Sequence, residues 1–191
     1  RDKSSLAKEG KLDPIIGRDK EVRMVSEILC RRTKPNVMIL GEPGVGKTAL
    51  LDGFVLDIKE GKVPELLKNA LVFELDFGAL VAGASYKGEV EERLKSIIKE
   101  IRQFEKAILF IDEIHALIDS KGSNPGIANI LKPELARGEL IIIGATTMDE
   151  YRKNIEKDEA FSRRFEVITV NEPEESVAVK MLQHILPLYE K

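Results

Sequence analysis

The 191-residue sequence has little cysteine, which disulfide-rich proteins need, and lacks the long apolar runs that membrane-spanning helices need. It holds one cysteine, Cys30, and no tryptophan. A single cysteine excludes an internal disulfide, and we interpret Cys30 as a small packing residue rather than a reactive thiol. No leader-like pattern stands at the start, and no apolar run approaches the roughly 18 residues of a membrane helix. We therefore expect a reducing, cytoplasmic location and no membrane partner.

The sequence also lacks an excess of either charge. It has 30 basic and 33 acidic residues, for a net charge of −3, and 43% of its residues are hydrophobic. This balance gives no reason to expect nucleic acid as a partner. The length suffices for one substantial domain with a sizeable core.

A phosphate-binding motif occupies residues 41–48, which read GEPGVGKT. The pattern matches G-x-x-x-x-G-K-[ST], in which a glycine-rich backbone cradles phosphates. Lys47 is expected to reach the β- and γ-phosphates of ATP, and the Thr48 hydroxyl to bind Mg²⁺. An apolar run at 37–40 precedes the motif and a helical pattern follows it, as this P-loop requires.

A second motif ends another apolar run, at residues 107–111, with Asp112 and Glu113. Ligands of parallel α/β sheets bind beyond the carboxyl ends of the strands. Asp112 is therefore expected beside the P-loop, where a carboxylate helps to hold Mg²⁺, and Glu113 is placed to polarise a water. No other metal site is supported, and His115 and His184 are interpreted as structural.

The hydrophobic pattern alternates strands with helices five times. This alternation predicts an α/β P-loop NTPase fold with a five-stranded, mostly parallel sheet and helices on both faces. The expected strands are 37–40, 70–75, 107–111, 140–143 and 165–170. Residues 78–88 are expected to form a glycine-marked loop, residues 89–104 and 149–155 to be helical, and residues 127–135 to be a helix kinked near Pro133. Residues 1–13 are interpreted as a linker, and residues 174–190 as a final helix.

Three further candidate functional sites each allow two interpretations when only the residue types and their positions are considered. Thr147, after Thr146 at a strand end, is either a helix cap or a hydroxyl that senses the γ-phosphate. Arg163 and Arg164 are either an ordinary exposed pair or arginine fingers, which stabilise transition-state charge from the same or a neighbouring subunit. Tyr86, between glycines, is either a chance surface aromatic or a functional loop residue.

Several stretches together resemble the first nucleotide-binding domain of the Clp AAA+ unfoldases. They are, in order, DPIIGR, GEPGVGKT, LDFGALVAGASYKGEVEERL, ILFIDEIH, LKPELARGEL, IGATTMDEYRKNIEKDEAF and SRRF, and the resemblance runs from about residue 6 to 189. The glycine–tyrosine loop and LKPELARG are features of the Clp branch beyond a generic P-loop.

The resemblance implies roles for individual residues. Thr147 would be the sensor, Glu113 the catalytic base, and Arg163 with Arg164 the fingers that act on ATP of the adjacent subunit. Tyr86 and Lys87 would form a pore loop that grips an unfolded polypeptide. The nucleotide would also be held by Ile15 and Ile16 at the adenine, and by Pro43, Gly44, Val45, Gly46, Lys47, Thr48 and Ala49 at the phosphates.

The resemblance further implies an AAA+ large subdomain at 14–172 and the start of a helical lid at 173–191. It implies a homo-oligomer, as a hexameric ring, that works on unfolded or aggregated polypeptide with ATP and Mg²⁺. A protease or a type VI secretion sheath is a further possible partner. A non-hydrolysing assembly switch and a DNA-loading AAA+ protein are the alternatives. The stretch 119–124 is shorter than the family pattern, which leaves the second pore loop open, and Val90 stands where the family usually has a phenylalanine after the tyrosine loop.

Overall fold

The sheet consists of five parallel strands in the order β2-β3-β4-β1-β5. The computed structural model describes residues 19–31, 35–42, 46–86, 88–118, 126–137 and 140–171. The strands are β1 Asn36–Leu40, β2 Leu71–Leu75, β3 Ala107–Asp112, β4 Ile141–Thr146 and β5 Phe165–Thr169. Predictions for residues 1–13, 119–124 and 174–190 lie outside the described residues.

Helices connect the strands. They are α1 Asp19–Leu29, α2 Lys47–Lys59, α3 Phe77–Val81, α4 Glu89–Ile101, α5 His115–Ile118, α6 Gly126–Arg137, α7 Met148–Asn154 and α8 Glu159–Ser162, with a 3-10 turn at Glu65–Leu67. Among the described helices none has the length and apolar character needed to cross a membrane. The helix α2 ends at Lys59, and Gly61 takes a positive φ of 72° just beyond it, a conformation that glycine adopts without strain.

The three inner strands, β1, β3 and β4, are buried on both faces, and the alternation of their side chains divides the core in two. Val37 and Ile39 of β1 face a cluster that includes α1 and α2. Met38 and Leu40 point to the other side, toward a cluster that includes the apolar stripes of α4 and α6. The predicted P-loop α/β fold, with helices on both faces of the sheet, is confirmed.

Three stretches differ from the predictions by three residues or more. Part of the expected loop 78–88 is helix α3, because the Asp76 side chain accepts a hydrogen bond from Ala79 N and caps it. Strand β4 continues to Thr146 rather than ending at residue 143, because neighbouring strands flank it on both sides. The helix α4 ends at Ile101, three residues before its predicted end.

Candidate functional site

The phosphate-binding motif lies between the end of β1 and the start of α2. Gly46 adopts φ 97°, a left-handed conformation that glycine reaches without strain, and the helix begins at Lys47. Residues 43–45 lie outside the described part of the chain. The free N–H groups at the start of α2 favour anions, as the motif predicted.

The Lys47 ammonium bridges two strand ends. Its Nζ donates to the carbonyl of Gly41, at 2.7 Å, and to that of Thr146, at 3.3 Å. The amide of Gly41 donates to the same Thr146 carbonyl, at 3.2 Å. Lys47 is therefore held at the junction of β1 and β4, next to the place where the motif expects phosphates.

Asp112 and Glu113 form a tight turn where β3 ends. Glu113 has a φ of 51°, in the left-handed region that costs a non-glycine residue about 1–2 kcal/mol. The Glu113 amide donates to Asp112 Oδ1 at 2.9 Å, and the Ile114 amide donates to the Ala145 carbonyl of β4 at 3.1 Å. These bonds hold a strained backbone that leaves the Glu113 side chain exposed. Strain of this kind is commonly found at functional sites.

Two threonines end β4, and they have different partners. Thr147 accepts a hydrogen bond from Glu150 N at 3.2 Å and caps α7, so its interpretation as a helix cap is confirmed. Its sensor role stays a prediction. Thr146 is 2% exposed, and its hydroxyl lies 2.7 Å from Nδ1 of His115.

One cleft of about 390 Å³ brings these groups together. Its lining consists of Gly46, Lys47, Thr48, Asp112, Glu113, His115, Thr146 and Thr147. Among the described residues near the P-loop, all those predicted to bind phosphate, to bind Mg²⁺ or to act in catalysis line this cleft, except Ala49. The sequence interpretation placed Thr146 at a strand end and took His115 as structural, and it did not predict their pairing, which spans 31 residues and is encoded by no local motif.

The oxygen atoms of the cleft suit Mg²⁺ bound together with substrate phosphates. They do not form a site in which protein side chains alone surround a metal ion. In the described parts of the chain no three His, Cys, Asp or Glu side chains form a metal-binding group. Mg²⁺ usually keeps several waters and binds one or two protein oxygens together with substrate phosphates. Thr48 and Asp112 line the same cleft and supply a hydroxyl and a carboxylate, so these residues fit the ion.

The two arginines lie at the opposite end of the sheet. Phe165, which follows Arg164, pairs with Asn36 at the start of β1, whereas the P-loop follows the end of β1. Four residue steps of a strand separate these ends by about 13 Å. Arg163 and Arg164 are exposed and border a separate cleft of about 1130 Å³. The structure therefore does not bring them to the P-loop of their own chain.

Tyr86 is 55% exposed at the end of a loop that α4 holds in place. Its hydroxyl donates to Glu92 at 2.7 Å, and this bond to a carboxylate raises the pKa of Tyr86 above its usual value. The Arg93 guanidinium donates to the carbonyls of Leu80, at 2.9 Å, and Ala82, at 2.6 Å. Lys87 lies outside the described residues, as do Ile15 and Ile16.

Cys30 packs against the core cluster around α1, in agreement with its interpretation as a packing residue. Burial raises the pKa of its thiol, although the positive charge of Lys106 opposes that shift. A thiol with a raised pKa is a poor nucleophile.

Comparison with known proteins places the chain in a family. Residues 37–169 match the family described as "ATPase family associated with various cellular activities (AAA)". The match covers well over half of the chain, from β1 to β5, and the chain belongs to this family.

Within that family the resemblance to Clp proteins is confirmed. The chain is 53% identical to the ATP-dependent Clp protease ATP-binding subunit ClpC of Staphylococcus epidermidis over 192 aligned positions, covering 100% of the chain and 24% of that protein. It is 55% identical to the chaperone protein ClpB of Porphyromonas gingivalis over 187 positions, covering 96% of the chain and 22% of that protein. The chain thus spans about a quarter of the length of these relatives.

Solved structures agree with the sequence relatives. A Saccharomyces cerevisiae Hsp104–ADP complex matches with a TM-score of 0.91 and 48% identity, covering 100% of this chain and 33% of that one. A complex of the same protein with casein, in an extended conformation, matches with a TM-score of 0.89 over the same shares.

Proposed function

We propose that this chain is the ATP-hydrolysing motor domain of a ring-forming Clp-type protein that remodels polypeptides by threading. The observation that carries the proposal is the single cleft that joins Lys47 and Thr48 to Asp112, Glu113 and Thr147. A site that only bound nucleotide would need the Asp112 carboxylate for Mg²⁺ but would have no use for the second carboxylate, that of Glu113. The identity to ClpC and ClpB supports the same assignment.

Residues from separate parts of the chain are proposed to bind the nucleotide. The backbone N–H groups from Gly44 to Ala49 hold the phosphates, and Lys47 exchanges its two carbonyl partners for phosphate oxygens. Ile15 and Ile16 contact the adenine. Thr48 and Asp112 hold Mg²⁺, which neutralises charge on the β- and γ-phosphates when it is bound.

Hydrolysis is an in-line attack of water on the γ-phosphorus. Glu113 accepts the proton of that water as the new P–O bond forms and the bond to the bridging oxygen breaks, which releases ADP and phosphate. The Thr147 hydroxyl orients the water. Catalysis is largely positioning and charge stabilisation, because phosphoryl transfer needs little covalent chemistry from the protein.

The site is completed by a second copy of the chain. Arg163 and Arg164 lie at the far end of the sheet from their own P-loop and remain exposed, as residues that reach a neighbour's ATP must. A head-to-tail contact that closes on itself builds a ring. We propose a hexamer for the whole protein, with Arg163 and Arg164 as fingers in trans.

The moving element is the loop around Tyr86 and Lys87. An exposed aromatic on a short loop can grip an extended chain through its ring, without reading its sequence. The Hsp104 complex with casein supports an unfolded polypeptide as the partner. The name of ClpC supports a protease as an additional partner, and a secretion sheath is the alternative client.

The proposed division of the chain keeps residues 14–172 as the large AAA+ subdomain and 173–191 as the beginning of a helical lid. The family match across 37–169 supports the first part. We also propose that the protein works in the cytoplasm, where its single cysteine stays reduced.

The test of hydrolysis is Glu113→Gln in the full-length assembly. We expect phosphate release to fall at least about 100-fold while ATP binding persists, because the amide fills the same space but accepts no proton. Glu27→Gln, an exposed carboxylate outside both this cleft and the cleft that Arg163 and Arg164 border, is the matched control. Turnover near that of the wild type would refute the base assignment, and a wild-type assembly that binds ATP without releasing phosphate would indicate a switch.

The test of threading is Tyr86→Ala in the same assembly. We expect ATP hydrolysis to continue and the unfolding of a tagged substrate to stop, because the side chain lies outside the nucleotide cleft. Intact threading would rule out the pore-loop role.

A further inference from the structure

The buried Thr146 hydroxyl is a polar group of the nucleotide cleft to which the proposed mechanism gives no task. It belongs to the last residue of β4, is 2% exposed, and lies 2.7 Å from Nδ1 of His115 on α5. A buried hydroxyl without a partner is costly, so some partner is required. The hydroxyl both donates and accepts, so the bond forms with either tautomer of the ring.

The strand β4 runs between β1, which leads into the P-loop, and β3, which leads into Asp112 and Glu113. The Thr146 carbonyl accepts from Gly41 N and Lys47 Nζ, which attach it to the P-loop side. Its side chain bonds His115, two residues beyond Glu113, which attaches it to the β3 side. Thr146 thus hydrogen-bonds to groups that follow both neighbouring strands.

A backbone hydrogen bond also joins the β3 side to β4 at this height. Ile114 N donates to the Ala145 carbonyl at 3.1 Å, beside the strained Glu113 with its φ of 51°. A strained residue keeps its conformation only where its surroundings fix it. The His115–Thr146 bond adds a second attachment, on the other side of Glu113 from Asp112.

We infer that His115 and Thr146 act together as positioning residues for hydrolysis. Their hydrogen bond fixes the turn that carries Glu113 relative to β4, and so relative to Thr147 and, through the bond from Gly41 N, to the P-loop. The inference rests on the proposed ATPase function and deepens it. Neither side chain needs to touch the reacting atoms, because a misplacement of a catalytic group by about 1 Å is enough to slow a reaction about 100-fold.

The experiment measures ATP turnover and the affinity for a fluorescent ATP analogue in the full-length assembly. Thr146→Val keeps the shape and the backbone carbonyl but removes the hydroxyl, and His115→Leu removes the ring nitrogen. Each is expected to lower kcat about five- to tenfold, the effect of one hydrogen bond, with less than about a threefold change in nucleotide affinity. Thr146→Ser and His115→Asn retain a bonding group and are expected to recover most of the lost turnover.

The double variant Thr146→Val/His115→Leu separates a positioning pair from two independent structural residues. If the bond acts as a unit, the double variant is no slower than the slower single variant. Multiplied effects, equal losses in binding and turnover, or Thr146→Ser as slow as Thr146→Val would each overturn the inference. A wild-type assembly that releases no phosphate would overturn the proposed function as well, whereas unchanged kcat in an active assembly overturns this inference alone.

Discussion

The amide of Asn36 ties the first residue of β1 to the carbonyl of Arg164. Its Nδ2 donates to that carbonyl at 3.2 Å, and its Oδ1 accepts from Ile142 N at 2.8 Å. Asn36 is 1% exposed; its bond to Ile142 N is buried, and its bond to the Arg164 carbonyl is partly buried. One buried side chain therefore fixes Arg164 at the end of the sheet that is opposite to Lys47, and the proposed trans action of the arginines depends on this placement.

Asn36→Ala is expected to lower the free energy of unfolding by about 2–3 kcal/mol, because it leaves the buried Ile142 N–H and the Arg164 carbonyl unpaired. Urea denaturation measures the change. Asn129→Ala, at an exposed position of α6, is the matched control and should cost much less. Equal losses in the two variants would mean that the Asn36 bonds contribute nothing.

The positive φ of Glu113 predicts a conflict between stability and function. Glycine takes φ 51° without a Cβ clash, so Glu113→Gly should be more stable than Glu113→Ala by about 1 kcal/mol, the reverse of the usual order. Both variants should lose ATP hydrolysis. Thermal and urea denaturation compare the pair, and an alanine variant at least as stable as the glycine variant would show that the turn is unstrained.

Gly144 in β4 allows Ile114 to pass close to the sheet. A Cβ at this position would stand 2.9 Å from Ile114 Cδ1, 3.2 Å from its Cγ2 and 3.2 Å from Met38 Sδ. Gly144→Ala is therefore expected to cost about 1–3 kcal/mol of stability and to shift the turn that carries Glu113. Adding Ile114→Val removes the closest of these atoms, so the double variant should lose less stability than the two single variants summed, as a urea denaturation cycle would measure. Strict additivity would contradict the predicted contact.

The hydrogen bond from Tyr86 to Glu92 sets the direction in which the pKa of Tyr86 should change when Glu92 is replaced. The carboxylate holds the phenol proton in place and raises the pKa of Tyr86, so Glu92→Gln should lower that pKa toward its usual value. Tyrosinate absorbance measured against Tyr86→Phe isolates this group from the other two tyrosines. A Tyr86 pKa that stays the same or rises in Glu92→Gln would show that the bond is absent in solution.

The sequence predicted the parts of the site whose signals are local. The P-loop, the Asp112–Glu113 pair and all five strands follow from contiguous motifs or apolar runs, and each lies near its expected position. The helix α3 was missed although Asp76 signals a cap, because Gly78 and Gly83 pointed more strongly to a loop.

Features that depend on strand order could not be predicted. The His115–Thr146 bond requires β4 to lie next to β3, and the distance of Arg164 from Lys47 follows from the register of β5 on β1. Strand order and register both depend on contacts between segments that are far apart in the sequence, so no single segment predicts them. The left-handed Glu113 is likewise imposed by its tertiary contacts, because glutamate has no intrinsic preference for that conformation.

In the proposed ring each active site takes its base from one copy and its arginines from another. Glu113→Gln and the double variant Arg163→Ala/Arg164→Ala should each abolish hydrolysis when assembled alone. In random mixed rings at equal ratio, about a quarter of the interfaces would pair an intact Glu113 with an intact arginine pair.

Phosphate release by the mixed assembly, compared with the two unmixed variants at the same total concentration, is the most direct measurement. The proposed sharing of each site between two copies predicts that mixing raises activity above that of the unmixed variants, up to about a quarter of the wild-type rate, because complete sites re-form between copies. A mixed assembly no more active than its unmixed components would contradict it, and would place the base and the arginines of each working site in the same chain.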